Sequence, residues 1–247
     1  MRISQPRSEQ IPLLRQLWQT VFADTDAFLD SFFSLAYSPG RCLCAAEGET
    51  LTGMLYWLPC GEYAYIYAVA THPDHRGKGV CRGLMEAAHE AIARQGYEGV
   101  LLYPQDEGLR SMYRKMGYLA QTFLTEQPFI PDGEPIALME ISSETYFSLR
   151  KRFLPEGAVM QESPFRELME HISFYQGNSF LLAAEHRGKT LFGLELLGNP
   201  EQAPGILKAL EKTGGSFRFP GNRKPFAMFC PLREGIQAPG YFAFPLD

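Results

Sequence analysis

The spacing of apolar residues divides the first part of the chain into helices and strands. A short strand over 2–5 is followed by 8–38, where apolar residues recur every three to four positions and predict two amphipathic helices. Residues 41–59 have the pattern of a hairpin that turns near Gly48. Residues 62–72, EYAYIYAVATH, have the composition of a strand rich in tyrosine. The predicted order up to this point is βααβββ.

A helix, a strand, a short helix and another strand are predicted after the tyrosine-rich segment. Apolar residues repeat at helical spacing from Val80 onwards, which places Arg82, Glu86, His89 and Glu90 on the solvent side, and Gly96 marks the predicted end of that helix. The apolar run 99–105 is typical of a buried strand. A short helix over 106–117 and a strand over 118–129 complete the pattern, so helices and strands alternate throughout this part of the chain.

Regular alternation along the tyrosine-rich strand would separate its side chains onto two faces. One face would carry Tyr63, Tyr65, Tyr67 and Val69, and the other would carry Ala64, Ile66, Ala68 and Ala70. The tyrosines have two explanations, since they could line a substrate cleft or simply pack, as aromatic residues in strands do. Tyr65 and Tyr67 are therefore candidate substrate-binding residues.

The segment PFIPDGEP is rich in turn-forming residues and predicts a boundary between two domains, 1–128 and 129–247. Two helices are predicted after it, over 142–154 and 163–175. Strands and turns then fill the rest of the chain.

The second half contains a hairpin that resembles one in the first half. LLAAEHRGKTLFGLEL at 181–196 is similar to LCAAEGETLTGML at 43–55. Such a match arises by chance or by internal duplication, and we favour duplication because its offset suits two domains of ordinary size. The second copy would be degenerate, because neither a tyrosine-rich strand nor a basic turn follows its hairpin.

Composition narrows the class of protein. Hydrophobic residues make up 45% of the 247 residues, which is enough for a buried core. The net charge of −5 argues against nonspecific nucleic-acid binding, and neither a membrane-spanning apolar run nor a secretory leader is present. Five cysteines without a CxxC pair indicate neither a disulfide framework nor a zinc site. We therefore expect a cytoplasmic protein that binds neither nucleic acid nor membrane.

The segment THPDHRGKGVCRGL, residues 71–84, places two glycines among cations between a strand and a helix. A helix N-terminus offers unpaired N–H groups to an anion, and glycines allow the backbone to approach it closely. Arg76, Lys78 and Arg82 add positive charge. This arrangement favours a pyrophosphate site over a plain turn with surface cations. It is not a P-loop, because Lys78 precedes Gly79, nor a GxGxxG motif, because Arg82 replaces the last glycine.

The same segment resembles the coenzyme A motif of the GNAT acetyltransferase family, Gln/Arg-x-x-Gly-x-Gly/Ala. The matching residues are Arg76, Gly77, Lys78, Gly79, Val80 and Cys81, with Cys81 in place of the usual Gly or Ala. A second segment, LRSMYRKMGY at 109–118, resembles the family's LYxKxGF, with Asp106 where the family has Asn. The resemblance covers about 1–128. It implies an α/β (α+β) GNAT fold, a mixed central sheet flanked by helices, with a second, smaller GNAT-like half that lacks the coenzyme A motif.

The resemblance also implies roles for individual residues, with acetyl-CoA as cosubstrate. The backbone of Val69 would contact the pantetheine arm where the central strands splay apart, and residues 76–81 would bind the pyrophosphate. Tyr113 would protonate the departing thiolate, because a tyrosine with a pKa of about 10 is a suitable donor to it. A plain core tyrosine is the alternative, since Leu109 and Met112 share its helix face.

The predicted function is an acetyl-CoA-dependent N-acetyltransferase that acts on a primary amine of a small molecule or peptide, by direct attack in a ternary complex. Glu62 is the candidate base, and a water chain to a more distant carboxylate is the alternative. A noncatalytic coenzyme A-binding or interaction protein is the rival function. An aminoacyl-tRNA-dependent transferase is a third, which the intact motif disfavours. His72 and His75, beside Asp74, are expected in a solvated loop, so no metal site is predicted.

Overall fold

The structure, a computed structural model, divides the chain into two compact units. It describes residues 1–161, 163–169 and 171–244. The N-terminal unit comprises Met1–Ala120 and Met228–Ala238. The C-terminal unit comprises Gln121–Ala227 and 239–244.

Both units contain strands and helices. In chain order the strands are β1 (Arg2–Ser4), β2 (Cys42–Glu47), β3 (Thr50–Cys60), β4 (Tyr63–Thr71), β5 (Gly99–Leu102), β6 (Ala120–Phe129), β7 (Leu138–Ile141), β8 (Ser173–Gly177), β9 (Phe180–Arg187), β10 (Thr190–Gly198), β11 (Gly214–Pro220) and β12 (Lys224–Pro231). The α-helices are α1 (Ile11–Phe22), α2 (Asp26–Leu35), α3 (Val80–Arg94), α4 (Glu107–Arg114), α5 (Ser143–Arg150) and α6 (Ala203–Ala209). None of these helices combines the length and the hydropathy that a membrane span requires.

The N-terminal unit contains a mixed sheet, as predicted. Strands β1 to β4 pair with one another in sequence order, and every pair is antiparallel. Strand β5 is parallel to β4 because α3 carries the chain back between them. The other neighbour of β5 is the end of β12, with Met228 opposite Leu102 and Pro231 opposite Gly99. Helices α1 and α3 both pack on β3 and β4.

The C-terminal unit repeats this pairing order. Strands β7 to β10 pair in sequence order and antiparallel. Strand β11 is parallel to β10, with α6 between them in the chain, and its other neighbour is the antiparallel strand β6. The same succession of five strand pairs in both units is what an internal duplication would leave.

The hairpin similarity seen in the sequence joins strands that are not equivalent in this order. Residues 43–55 lie in β2 and β3, whereas 181–196 lie in β9 and β10. In the pairing order, β9 and β10 correspond to β3 and β4, so the similarity is displaced by one strand. The boundary predicted at 128/129 falls inside β6, whose residues pair with β11. Which activities belong to 1–128 and 129–247 stays a prediction.

The helix predicted over 163–175 is wrong. Residues 163–168 form turns, and Ser173–Gly177 is the strand β8. The apolar residues that produced the helical spacing are nevertheless buried, among them Phe165 and Leu168. Phe174 and Tyr175 pair with Ala183 and Leu182 of β9. Pairing with a neighbouring strand therefore prevails over the helical spacing of the apolar residues.

Aromatic side chains join α1 and α2 to one face of the sheet of the N-terminal unit. The ring centroid of Trp18 lies 4.7 Å from that of Phe32, 5.2 Å from that of Tyr56 and 5.7 Å from that of Tyr67. The Trp18 indole N–H donates to Asp24 at 2.7 Å, so its polar atom is satisfied at the edge of the cluster. The opposite face carries α3, which buries Leu84, Met85 and Ala88 among others.

Candidate functional site

Strand β4 contains a bulge that reverses its side-chain alternation. The register with β3 passes from Tyr67 opposite Tyr56 to Ala70 opposite Met54, so β4 has one residue more than β3 in this interval. Ala68 has φ +49°, a left-handed conformation that accommodates the extra residue. Val69 therefore packs on the α3 face, and the prediction that it shares a face with the tyrosines is wrong.

The parallel strands β4 and β5 separate before β4 ends. Their register runs from Tyr63 opposite Gly99 to Tyr65 opposite Leu101, whereas β4 continues to Thr71. Val69 lies beyond this pairing and inside the bulge, so within the described residues it has a register partner in neither β3 nor β5. A role for the Val69 backbone in binding a ligand stays a prediction.

The segment after β4, residues 76–81, forms an elbow whose two glycines have a left-handed backbone conformation. Gly77 has φ +74° and Gly79 has φ +80°, and Gly79 is the N-cap residue of α3. No atom lies within 4 Å of the position that a Cβ would take at either glycine. The left-handed φ therefore explains the glycines, and a side chain would project into the open space in front of the helix.

The start of α3 presents unpaired donors at the elbow. Its first intrahelical hydrogen bond runs from the Gly83 N–H to the Gly79 carbonyl at 3.0 Å. The N–H groups of the three residues between them have no intrahelical acceptor. Arg76, Lys78 and Arg82 are exposed around this end. Open glycines, free N–H groups and three cations fit a bound pyrophosphate.

Tyr113 lies close to the elbow. It belongs to α4, which begins at Asp106, whose Oδ1 accepts the Leu109 N–H at 2.8 Å. Tyr113 is 7% exposed and belongs to the same buried cluster as Val80, against which the partly buried Val69 and Cys81 pack. Burial raises the pKa of the Tyr113 hydroxyl, and the nearby Cys81 raises it further. The structure thus brings together the predicted proton donor, the elbow and the bulged strand.

His89 and Tyr118 lie behind Tyr113 and were not identified from the sequence. The His89 Nε2 and the Tyr118 hydroxyl are 2.7 Å apart, and Tyr118 is fully buried. The sequence pattern places His89 on the solvent side of α3, but its side chain is half-buried because the ring packs against Tyr118. Burial lowers the pKa of His89, and Glu86 opposes this shift. The sequence signal that could have identified Tyr118 is its place at the end of LRSMYRKMGY, because the family's segment LYxKxGF ends in phenylalanine.

The tyrosines Tyr65 and Tyr67 remain on the face opposite Val69. Their rings are stacked with centroids 6.2 Å apart, and Tyr65 is 2% exposed. Tyr67 is half-buried and contacts Trp18 and Phe32. Both side chains therefore take part in the packing of the N-terminal unit, and a role in binding substrate stays a prediction.

Glu62 is not brought to the elbow. It is exposed in the turn between β3 and β4, and its carbonyl accepts the Glu98 N–H at 2.9 Å. It lies at the start of β4, whereas the elbow follows the end of that strand. Six residues, 63–68, lie between it and Val69, and the bulge at Ala68 interrupts the extended strand. A role for Glu62 in deprotonating the amine stays a prediction.

His72 and His75 lie in the exposed connection between β4 and the elbow. The His72 Nδ1 accepts the Asp74 N–H at 3.3 Å, and the His75 Nδ1 lies 3.7 Å from the Glu47 carboxylate. Across the part of the chain that the structure describes, no group of three or more His, Cys, Asp or Glu side chains is arranged to hold a metal ion. The two histidines instead shape the turn that leads into the elbow.

The elbow and Tyr113 fall within a region that matches a known domain. Residues 2–120 match the family model described as "Acetyltransferase (GNAT) domain". Among curated proteins, none matches the chain.

Solved structures of low sequence identity are similar over nearly the whole chain. A GCN5-related N-acetyltransferase from Kribbella flavida has a TM-score of 0.71 at 16% identity, covering 94% of this chain and 72% of that one. A probable N-acyltransferase from Enterococcus faecalis V583 has a TM-score of 0.71 at 15% identity, covering 94% and 72%. A tandem GNAT protein from the clavulanic acid biosynthesis pathway has a TM-score of 0.57 at 11% identity, covering 95% and 99%. At these identities the likeness concerns the fold.

Proposed function

We propose that the chain is an acetyl-CoA-dependent N-acetyltransferase, on the premise that residues 2–120, which match the GNAT acetyltransferase domain, form such a domain. The acceptor would be a primary amine of a small molecule or peptide, attacked directly in a ternary complex. One observation carries the proposal. The open glycines of the elbow, the free N–H groups of α3 and the buried Tyr113 lie together beside the bulge of β4.

The elbow would bind the pyrophosphate of acetyl-CoA. Residues 76–81 combine backbone donors with the cations Arg76 and Lys78, which together contribute more than the helix dipole, worth about 0.3–1 kcal/mol. The small Cys81 would leave the backbone accessible, as glycine or alanine would. The unpaired backbone of Val69 would hold the pantetheine arm in the gap between β4 and β5.

Tyr113 would supply the proton that the sulfur needs when the C–S bond breaks. Acetyl-CoA provides an acyl carbon activated as a thioester, and the amine nitrogen forms the new C–N bond while losing a proton. A tyrosine hydroxyl is protonated at neutral pH, so the donor is available in each cycle, although burial raises the pKa of Tyr113 and makes it a weaker acid. Solvent would return the proton to Tyr113 after transfer.

The C-terminal unit, in this proposal, binds no coenzyme A. Its connection between β10 and α6 reads Asn199, Pro200, Glu201, Gln202, without a cation. The assignment of acetyl-CoA binding to 1–128 and of a degenerate GNAT-like domain to 129–247 rests on this difference. All five cysteines are free thiols, which supports a reducing, cytoplasmic location.

The proposal is tested by calorimetry with acetyl-CoA, followed by thiol release with a panel of polyamines, aminoglycosides, amino acids and peptides. We expect one acetyl-CoA per chain and release of coenzyme A that depends on one class of amine. Binding without release on any amine would favour the noncatalytic alternative. Absence of binding would overturn the cofactor assignment.

A further inference from the structure

A partly buried hydrogen bond joins α3 to Tyr118, four residues beyond the end of α4. The Tyr118 hydroxyl and the His89 Nε2 are 2.7 Å apart, and their rings are inclined at 53° with centroids 5.4 Å apart. Tyr118 is shielded from water, so its hydroxyl has little access to a replacement partner. The bond therefore constrains where Tyr118 lies relative to α3.

Tyr118 in turn contacts the proposed proton donor. Its ring meets that of Tyr113 edge to face, with centroids 5.8 Å apart and an angle of 65°. The Tyr118 N–H also donates to the Tyr113 carbonyl at 3.2 Å. Gly117, with φ +97°, reverses the chain so that the two rings meet. A displacement of Tyr118 would therefore also displace the Tyr113 ring, because the two rings are in contact.

The helix that anchors Tyr118 also carries the elbow. His89 lies nine residues after Val80, about 14 Å along the helix at about 1.5 Å per residue. One hydrogen bond thus ties the end of α4 to the helix whose start would bind the pyrophosphate. We propose that His89 and Tyr118 are positioning residues, which hold the hydroxyl of Tyr113 in register with the thioester. This inference rests on the proposed function.

The first test removes only the hydroxyl, with Tyr118→Phe. Because a small misplacement of a catalytic group slows the chemistry, kcat should fall about tenfold while the Kd for acetyl-CoA stays unchanged. The C-terminal unit offers a matched control, Tyr175→Phe, because the Tyr175 hydroxyl lies 2.8 Å from the His186 Nε2 and the rings are inclined at 54°. Unchanged kcat in Tyr118→Phe, or an equal loss in both variants, would overturn the proposal.

The second test asks whether His89 and Tyr118 act as one unit. The double variant His89→Leu/Tyr118→Phe should be no slower than the slower single variant, because both remove the same bond. Losses that multiply would contradict a shared positioning role. Thermal unfolding of the same preparations identifies any variant that fails to fold.

A third measurement does not need an acceptor amine. Fluorine NMR of protein labelled with 3-fluorotyrosine at position 113 reports the surroundings of that ring. The resonance should shift or broaden in Tyr118→Phe and stay unchanged in Tyr175→Phe. An unmoved resonance in Tyr118→Phe would refute the positioning role whatever the activity. If instead Tyr113→Phe keeps full kcat, the proton-donor role fails separately from the Tyr118–Tyr113 coupling.

Discussion

The connection from β4 to α3 and the connection from β10 to α6 occupy the same place in the pairing order of the two units, and the strands before them are built alike. Each strand contains one extra residue, at Ala68 in β4 and between Gly193 and Glu195 in β10. Each also outlasts its parallel neighbour, since pairing stops at Tyr65 in β4 and at Gly193 in β10. A bulged strand with a separated end is therefore common to both units.

The glycines beside the two connections differ in position and in packing, since Gly79 is the N-cap residue of α3 and Gly198 is the last residue of β10. Gly79 faces open space, with no atom within 4 Å of a Cβ position. Gly198 also has a positive φ, +103°, but a Cβ there would clash with the carbonyl oxygen of Ser179. The Gln202 side chain donates to the Ser179 hydroxyl at 3.0 Å, so the chain itself fills this position. A bulged strand with a separated end is therefore not sufficient to form an anion site.

The two units also differ in the element that comes after the parallel strand. In the N-terminal unit, α4 follows β5 and carries Tyr113. In the C-terminal unit, only residues 221–223 separate β11 from β12, so within the described ranges Tyr113 has no counterpart there. The buried face of α5 is ionic instead, with Arg150 donating to both carboxylate oxygens of Glu195 at 2.6 and 2.9 Å.

Removing the Tyr113 hydroxyl should have the largest effect on turnover, because Tyr113 has no counterpart in the described residues of the C-terminal unit. Tyr113→Phe is expected to lower kcat by roughly 10²–10⁴-fold with little change in acetyl-CoA affinity, since a general acid acts only in the transition state. Turnover and thermal stability are measured on one preparation. A loss of about 1–2 kcal/mol in stability with normal turnover would indicate a plain core tyrosine.

Removing the charge of Glu195 should affect stability in the C-terminal unit. Glu195→Gln leaves Arg150 buried without its counter-charge and is expected to lower the free energy of unfolding by about 3–5 kcal/mol. Denaturant titration measures this change. Glu90→Gln is the control, because its ion pair with Arg94 is exposed and should contribute less than about 1 kcal/mol. Equal effects would show that burial of the pair is unimportant.

A carboxylate in the elbow should make the connection from β4 to α3 as unsuited to binding an anion as the connection from β10 to α6. Gly79→Glu places bulk and negative charge where the pyrophosphate would lie, so acetyl-CoA affinity should fall at least tenfold, about 1.4 kcal/mol. Gly188→Glu is a matched control, since Gly188 has φ +60° in an equally open turn of the C-terminal unit. Calorimetry measures the affinity of both variants for acetyl-CoA. Normal affinity in a folded Gly79→Glu would reject the elbow as the cofactor site.

The pH dependence of stability should give the smallest effect. Burial holds the pKa of His89 below its unfolded value of 6.5, so the unfolded chain takes up the proton first as the pH falls. Stability from neutral His89 is complete above about pH 6.5 and is lost as the pH falls toward the lowered pKa. His89→Leu should flatten this loss in denaturant titrations between pH 7 and 5. His186→Leu should flatten it less, because that ring is less buried. The reverse ranking would contradict the buried state of His89.

Local pattern was enough to find the elements that build the elbow. The helical spacing after Val80, the glycine at 96 and the apolar run of β5 are confirmed because each element buries one face or is wholly buried. The left-handed φ at Gly77 and Gly79 also follows from local chemistry, since glycine adopts it without steric cost.

Features that depend on a distant partner could not be predicted in this way. The bulge at Ala68 exists because β4 must match the register of β3, and nothing in an alternating sequence marks it. His89 was placed in solvent because Tyr118, which covers it, is 29 residues away. Residues 173–177 form a strand because their backbone pairs with that of β9.

The sequence by itself determined the elements that build the elbow, its glycines and cations, and the segment that carries Tyr113, because these depend on spacing and on backbone freedom within a few residues. Only the tertiary structure decided that Val69 leaves the tyrosine face, that Glu62 lies far from the elbow, and that Gly198 is closed where Gly79 is open. These outcomes depend on strand register and close packing, which are set by residues far apart in the chain.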